Sequence, residues 1–546
     1  MQLSFLQHSK LGNMHLYTKL CALAASATAL ATADARFAPD KVHAEKNAHA
    51  IFNSIHSAGR QWGSSIYHNG FALIPVVVPR GSVFYHGAAT KEQPAGPEWL
   101  AFEPEAAEAF GSDWSSCRGS CEPSSDSSAT AQASTSVLAV RSYVHTYRNK
   151  RDLKLLLVDG MSGAKTNYGT LDTQDLVLLE GRKLDQDQFE DESRAQELCK
   201  VVQPWGYDGL IRAELGFEII NCNFTGTVTQ MKVKSTFFSK DKAGDDSMRI
   251  YQWARAAGQR YDGLGARLKF DFSSMVSGLF YPINTTNPDP SHPEFKRLAA
   301  TPMDNLRVIK NRVAEIAKAD FQTFLIDWRY IVDTVVERFS DRLAAMADED
   351  VGDMEFINEI EAAATSYVDA MALESDGEDA PDQDAFIKQS IKDCMDHYLY
   401  PALPFSGRWN QADHMLYHSV ITVTSHICTT FIQGWRDLRD ASSSHKGGIR
   451  YSDDVKQQRT TLHMVKSQVR QLMSRLGWAP WRKTRPCPVD EAMFVAMWPY
   501  GDKTDHFNPG CRKRSQLVVD RNDYWNLSYV DASGETPTFS SESEEL

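Results

Sequence analysis

The sequence is short of positive charge and of long apolar runs. Its 546 residues carry 58 lysines and arginines against 71 aspartates and glutamates, a formal net charge of −13. Phosphate backbones and anionic membranes are gripped by clustered Lys and Arg, so this balance argues against a general nucleic-acid or membrane-surface binder. After the N-terminal segment, no run reaches the roughly 18 apolar residues of a membrane-spanning helix. There is no Gly-x-Ser-x-Gly elbow and no internal repeat, and no pair of acids is marked by its spacing as a glycosidase pair. Cysteine is sparse, at nine residues.

What is present begins with the N-terminus. Leu20 to Thr32 reads LCALAASATALAT, preceded by Lys10 and Lys19 and followed by two small-x-small cleavage candidates, Ala31-Thr32-Ala33 and Ala33-Asp34-Ala35. This predicts a signal peptide over 1–35, of ordinary length if Met14 is the true start, and hence a secreted, extracellular protein. Its removal takes Cys21 and leaves eight cysteines: Cys117, Cys121, Cys199, Cys222, Cys394, Cys428, Cys487 and Cys511. An even set suits disulfides in an oxidising compartment. Proximity suggests Cys199–Cys222 and Cys487–Cys511; the other pairings are not readable. Asn223, Asn284 and Asn526 head glycosylation sequons.

The length exceeds one compact core and suggests roughly two to four domains. Residues 36–70 carry Ala50, Ile51, Ile55, Ala58 and Trp62 at helical spacing. From 71 to 240 short β-branched and aromatic runs alternate with Gly, Asn and Asp, among them FALIPVVV, SVFYHG, LKLLLVDG, DLVLLEG and GLIRAELGFEIINCNF; short helices are expected at 103–110 and 190–204. The Ser-rich stretch 112–136 reads as an insertion, and 241–300 as an irregular linker. Thr301 as an N-cap with Pro302 and Asp304 opens a helical region over 301–480. Its first apolar stripe runs from Ile309 to Phe339, with further helices at 353–373, 384–398, 408–438 and 453–476. The acidic stretch 374–384 reads as a linker, 481–532 as a loop-rich cap, and 533–546 as a disordered tail.

Two stretches imitate known sites. Gly160, Gly163, Lys165 and Thr166 give G-x-x-G-x-K-T, too short for a phosphate loop, whose Lys must directly follow the last Gly. The reading is a strand followed by a polar loop able to line a cleft. His414 and His418 stand four apart on an expected helix, with His426 further on, but Met415 takes the place of a peptidase's catalytic Glu. No metal site is predicted. Asp505 and His506 are polar residues of the cap with no role specified by spacing.

Three further pieces carry chemistry: Tyr85-His86-Gly87, then Trp99-Leu100-Ala101-Phe102 with Ala106 and Phe110, then Gly206-Tyr207-Asp208-Gly209-Leu210 with Glu214 and Glu218. Glu218 is a lone acid amid an apolar strand, costly unless paired or facing a cleft. Glu214 lies four residues earlier, on the same face of an extended strand. Over residues 70–235 this pattern resembles the ADP-ribosyltransferase family. The resemblance implies an α+β protein: an N-terminal split β-sheet domain over 36–240, followed by a mainly α-helical C-terminal domain. It implies NAD as substrate, with ADP-ribose passed to an unknown macromolecular acceptor or NAD hydrolysed. Glu218, with Glu214 second, would stabilise positive charge on the ribose; His86, Gly87 and Tyr85 would bind the dinucleotide; Trp99, Phe102 and Phe110 would stack on nicotinamide. His86 and Glu218 are then expected to face one cleft. Ala88 and Phe110 depart from the family's usual hydroxyl and Tyr, which leaves a non-catalytic secreted binding or effector protein as the alternative. The whole chain also resembles uncharacterised secreted fungal proteins through IFNSIHSA and GPEWLAFE.

Overall fold

A computed structural model describes residues 37–525 apart from 111–141, 167, 183–190, 237–242, 261–266, 319–325, 371–381, 443–448, 453–454, 485 and 518–522. The expected signal peptide over 1–35, the Ser-rich stretch with Cys117 and Cys121, most of the acidic stretch 374–384, Asn526 and residues 533–546 lie outside the described residues.

Alternating apolar runs become the strands β1 (Asn69–Val78), β2 (Val83–Ala88), β3 (Glu98–Ala101), β4 (Ser142–Asn149), β5 (Leu153–Gly160), β6 (Gly209–Glu214), β7 (Gly216–Asn221), β8 (Val228–Thr236), β9 (Lys269–Phe270) and β10 (Val276–Ser277). They form one curled sheet, a half-barrel, in the order β10-β1-β5-β6-β7-β3-β2-β4-β8, with β9 also on β1. All pairings are antiparallel except β5 with β6. Residues 241–300, expected as a linker, therefore contribute two short strands to this sheet. A separate hairpin pairs β11 (Glu491–Phe494) with β12 (Gly510–Lys513) in the cap.

The helices are α1 (Lys41–Lys46), α2 (Ala48–Ser57), α3 (Gln61–Ile66), α4 (Pro104–Phe110), α5 (Asp191–Val202), α6 (Phe224–Thr227), α7 (Ala243–Arg255), α8 (Met303–Lys318), α9 (Trp328–Ala347), α10 (Asp353–Thr365), α11 (Gln383–Leu399), α12 (Gln411–Ala441), α13 (Lys456–Leu476) and α14 (Lys503–Phe507). The fold is thus mixed α+β. The stripe from Ile309 to Phe339 divides between α8 and α9, and Asp327 caps the second by accepting from Tyr330 N. Thr301 does not cap α8; its hydroxyl bonds the backbone of Asn284 instead. The expected N-terminal helix is broken into α1, α2 and α3. These pack with the later helices: α12 runs against α1, α2, α10, α11 and α13. Asn410 and Asp413 start α12 with a reciprocal capping box.

One expected strand is not a strand. DLVLLEG lies in a buried π-type helical turn, Thr173–Leu178. A short apolar run does not itself separate strand from helix. Here anchors from elsewhere in the chain decide: Thr173 Oγ1 donates to Gly70 O at 2.6 Å and Arg194 holds Asp175. Among the described residues three disulfides staple the fold: Cys199–Cys222, Cys487–Cys511 and Cys394–Cys428. The buried side chains form one continuous core from Phe37 to Trp525, passing from sheet to helices without a break.

Candidate functional site

Glu214 and Glu218 do share a face, but not along one strand. Leu215 and Gly216 form a tight turn, with Gly216 at φ +91°, a conformation that favours glycine. The chain reverses there, so Glu214 ends β6 and Glu218 lies on β7. Gln61 of α3 fastens the turn: its amide donates to Glu214 O at 2.6 Å and accepts from Gly216 N at 2.9 Å.

Paired residues on neighbouring strands point to one face, and successive residues on a strand to opposite faces. Tyr85 pairs with Ala101, Ala101 with Glu218, and Glu218 with Arg212. Gly87, Trp99 and Glu214 follow by two-residue spacing. This one face therefore gathers Tyr85, Gly87, Trp99, Arg212, Glu214 and Glu218.

His86 points the other way. It pairs with His145 on β4, and its ring packs edge-on to His145 and Phe224. Its Nδ1 lies 2.8 Å from Trp99 O, and burial lowers its pKa to about 4, so the ring is neutral. The expected cleft shared by His86 and Glu218 is not formed, because a one-residue offset in register separates the two faces. Phe102 is buried edge-on against Phe84. Phe110 ends α4, and its side chain lies outside the described residues. Tyr85 and Phe102 help line a cavity of about 380 Å³ with Glu103 and Arg267. There the guanidinium of Arg267 lies over the Phe102 ring and bonds Glu103 at 2.7 Å.

Around the two glutamates lies a buried charge cluster. Arg212, in mid-strand, donates from Nε to Glu218 Oε1 at 2.9 Å and from Nη1 and Nη2 to the Asp191 carboxylate at 3.1 and 2.9 Å. Asp191 opens α5. Lys165 bonds Glu214 Oε1 and lies 3.0 Å from Asp191. Trp498 of the cap covers Lys165, whose ammonium stands 4.5 Å from the ring centre. Gly163 lets the Lys165 loop approach: a Cβ there would lie 2.4 Å from Glu214 Cγ. Arg194 links Asp175 to the group and reaches Asp191 at 3.4 Å. The imitation phosphate loop thus supplies a lysine to the carboxylates.

The two best-defined acids titrate apart. Burial raises Glu214, with Glu218 and Asp191 adding to the effect and Lys165 opposing it, to about 7. Burial also works against ionised Asp191, but Arg212 and Lys165 outweigh it and hold Asp191 well below the usual carboxylate range. One oxygen from each of Asp191, Glu214 and Glu218 lies within 4.8 Å of the others. Lys165 and Arg212 already set two positive charges among them, which disfavours a metal cation there.

Lys165, Asp191 and Arg212 were not singled out as site residues from the sequence. Arg212 carried a signal: a lone cation in the apolar strand GLIRAE, two residues from Glu214, needs buried partners. Asp191 carried none, being one acid among many in an acidic stretch.

A disulfide-stapled α+β protein with a half-barrel sheet and a buried charge centre is what the fold and site define. Residues 41–133 and 121–243 match the family described as the YPL277C N-terminal domain, less than half the chain but including the whole charge cluster. The chain is 27% identical to the uncharacterized protein YOR389W of Saccharomyces cerevisiae, over 83% of this chain and 82% of that protein. It is 28% identical to the uncharacterized protein YPL277C of the same yeast, over 55% of this chain and 75% of that one. No solved structure matches significantly. The chain is therefore similar to uncharacterised fungal proteins. Among the described residues, no helix is long and apolar enough to cross a membrane.

Proposed function

We propose that this is a secreted enzyme that cleaves a glycosidic bond to a ribose or related sugar, with the nicotinamide–ribose bond of NAD as its first candidate substrate. The observation that carries the reading is the division of labour among neighbouring carboxylates: Glu214, raised to about 7, beside Asp191, held ionised by Arg212 and Lys165. Groups pushed apart in this way serve as proton carrier and as stabiliser of an oxocarbenium-like transition state. Nicotinamide leaves neutral from its positively charged ring nitrogen and needs no proton; Glu214 takes the proton of the attacking water or acceptor. Glu218 and Asp191 supply the negative charge, and Trp99 and Tyr85 on the same face offer rings against the base. ADP-ribose then passes to water or to a macromolecular acceptor.

A second reading, a non-catalytic binding or effector protein, is favoured by one feature: the cluster's carboxylates are all bonded to Lys or Arg, as in a structural network. Nicotinamide release from NAD by the purified full chain separates the two. The enzyme reading expects release that falls at least a hundredfold in Glu218→Gln and Glu214→Gln, in line with the loss of a positioned proton carrier or charge. No release by the wild type, or equal release by both variants, overturns it.

A further inference from the structure

His68 precedes β1 and His506 lies in α14, yet the cap brings their rings together edge to face, with centroids 5.4 Å apart. Each residue is under 5% exposed: His68 is 3% and His506 4%. A neutral imidazole ligates metals through a ring nitrogen.

Four buried polar atoms of this ring cluster have no hydrogen-bond partner in the protein: Nδ1 and Nε2 of His68, Nδ1 of His506 and the Tyr524 hydroxyl. Tyr524 stacks on His506 at 4.4 Å, and Phe295 and Trp525 wall His68 at 5.0 and 5.4 Å. Other buried histidines are tied to the protein: His56 to Asp333, His86 to Trp99 O and His145 to Thr90 O. Unsatisfied buried polar groups are rare in folded proteins, and two adjacent imidazoles left so call for an occupant.

We propose that His68 and His506 hold one transition-metal cation of the zinc or copper kind through their ring nitrogens. The rings' aromatic contacts are with Tyr168, Phe295, Phe507, Tyr524 and Trp525, and Arg482 and Glu294 lie close enough to act on His506 and Tyr524. Paired imidazole nitrogens suit cations that prefer nitrogen over the oxygen-seeking calcium and magnesium. The site is separate from the Glu214 cluster and does not depend on its function.

The test uses the full chain, stripped by chelation, loaded with Cu²⁺ or Zn²⁺ and desalted. About one ion per chain should remain, and the copper spin-resonance spectrum should show coupling to two imidazole nitrogens. His68→Phe and His506→Phe, which keep a ring of similar size, should lose the ion, while Asp191→Asn keeps it. Three results overturn the proposal: wild type retaining no more metal than His68→Phe, which would leave ordered water as the occupant; an oxygen-only copper spectrum in the wild type, which does not depend on the variants folding; and loss of the ion in Asp191→Asn alone.

Discussion

Arg212 and Glu218 stand directly opposite each other across the β6–β7 hairpin, and the guanidinium Nε of the first donates to the carboxylate of the second at 2.9 Å. The same guanidinium holds Asp191, so one cation on the sheet fixes both the hairpin and the start of α5. Removing it strips Glu218 of this ion pair and leaves Asp191 to Lys165 and Arg194. Arg212→Met is therefore expected to destabilise the fold by about 3–5 kcal/mol, the usual cost of breaking a buried ion pair from one side. Denaturant unfolding measures it; a change below about 1 kcal/mol would show that the network is not structurally important.

Glu214 makes stability depend on pH in a defined window. Its folded pKa, about 7, lies above the ordinary value of 4.5. Between the two the native state holds a proton that the unfolded chain has lost, so this group's contribution is fully present below about 4.5 and is lost as pH rises through about 7. Glu214→Gln keeps the shape and cannot titrate. Relative to wild type, the variant should gain stability as pH rises from 4.5 to 7. Melting curves at several pH values check this; parallel curves would contradict it.

A second ion cluster joins helices distant in sequence. Asp333 of α9 accepts from Arg60 at 2.9 and 2.7 Å and lies 2.8 Å from Nδ1 of His56. Burial opposes its charge, but His56 and Arg60 outweigh that and hold its carboxyl well below the usual range. Asp333→Ala should cost about 3 kcal/mol, chiefly through the stranded arginine. Arg60→Ala in the same background should cost little more, which a double-mutant cycle reads directly.

Cys394 of α11 and Cys428 of α12 close a loop with a sequence separation of 34 residues. Chain-entropy arguments put such a bridge at about 3–4 kcal/mol. Cys394→Ala with Cys428→Ala should lower stability by that amount and leave any NAD turnover unchanged, because the bridge is in the helical layer away from Glu214. Loss of turnover in a folded variant would contradict that separation.

The legible parts of the sequence were those with local causes. Strand runs such as LKLLLVDG and the periodic helices 384–398 and 453–476 formed where the apolar runs and spacing placed them, because the strand is apolar enough to be buried on both faces and each helix buries one stripe. The mixed α+β class followed from the same patterns. The site was legible only in part. Glu218 stood out because an acid inside an apolar strand needs a reason. His86 stood out equally, but which face it takes depends on the β2–β3 register, a long-range pairing that no local pattern states. Lys165 and Asp191 reach the cluster across the β5–β6 crossover, so their meeting with Glu214 is a property of topology. DLVLLEG was misread because its π-type turn is imposed by Gly70 and Arg194 rather than by its own residues.

The central claim is that Glu214 keeps a proton near neutral pH beside an Asp191 that does not. Difference infrared spectroscopy of the carboxyl carbonyl stretch, recorded from about pH 5 to pH 9, reads that proton directly. A protonated-carboxyl component that fades with a midpoint near 7 is expected in the wild type and is missing in Glu214→Gln, while the component of buried Asp159, which fades near 6, is present in both. A wild-type protein with no component fading near 7, or one that survives unchanged in Glu214→Gln, would contradict it.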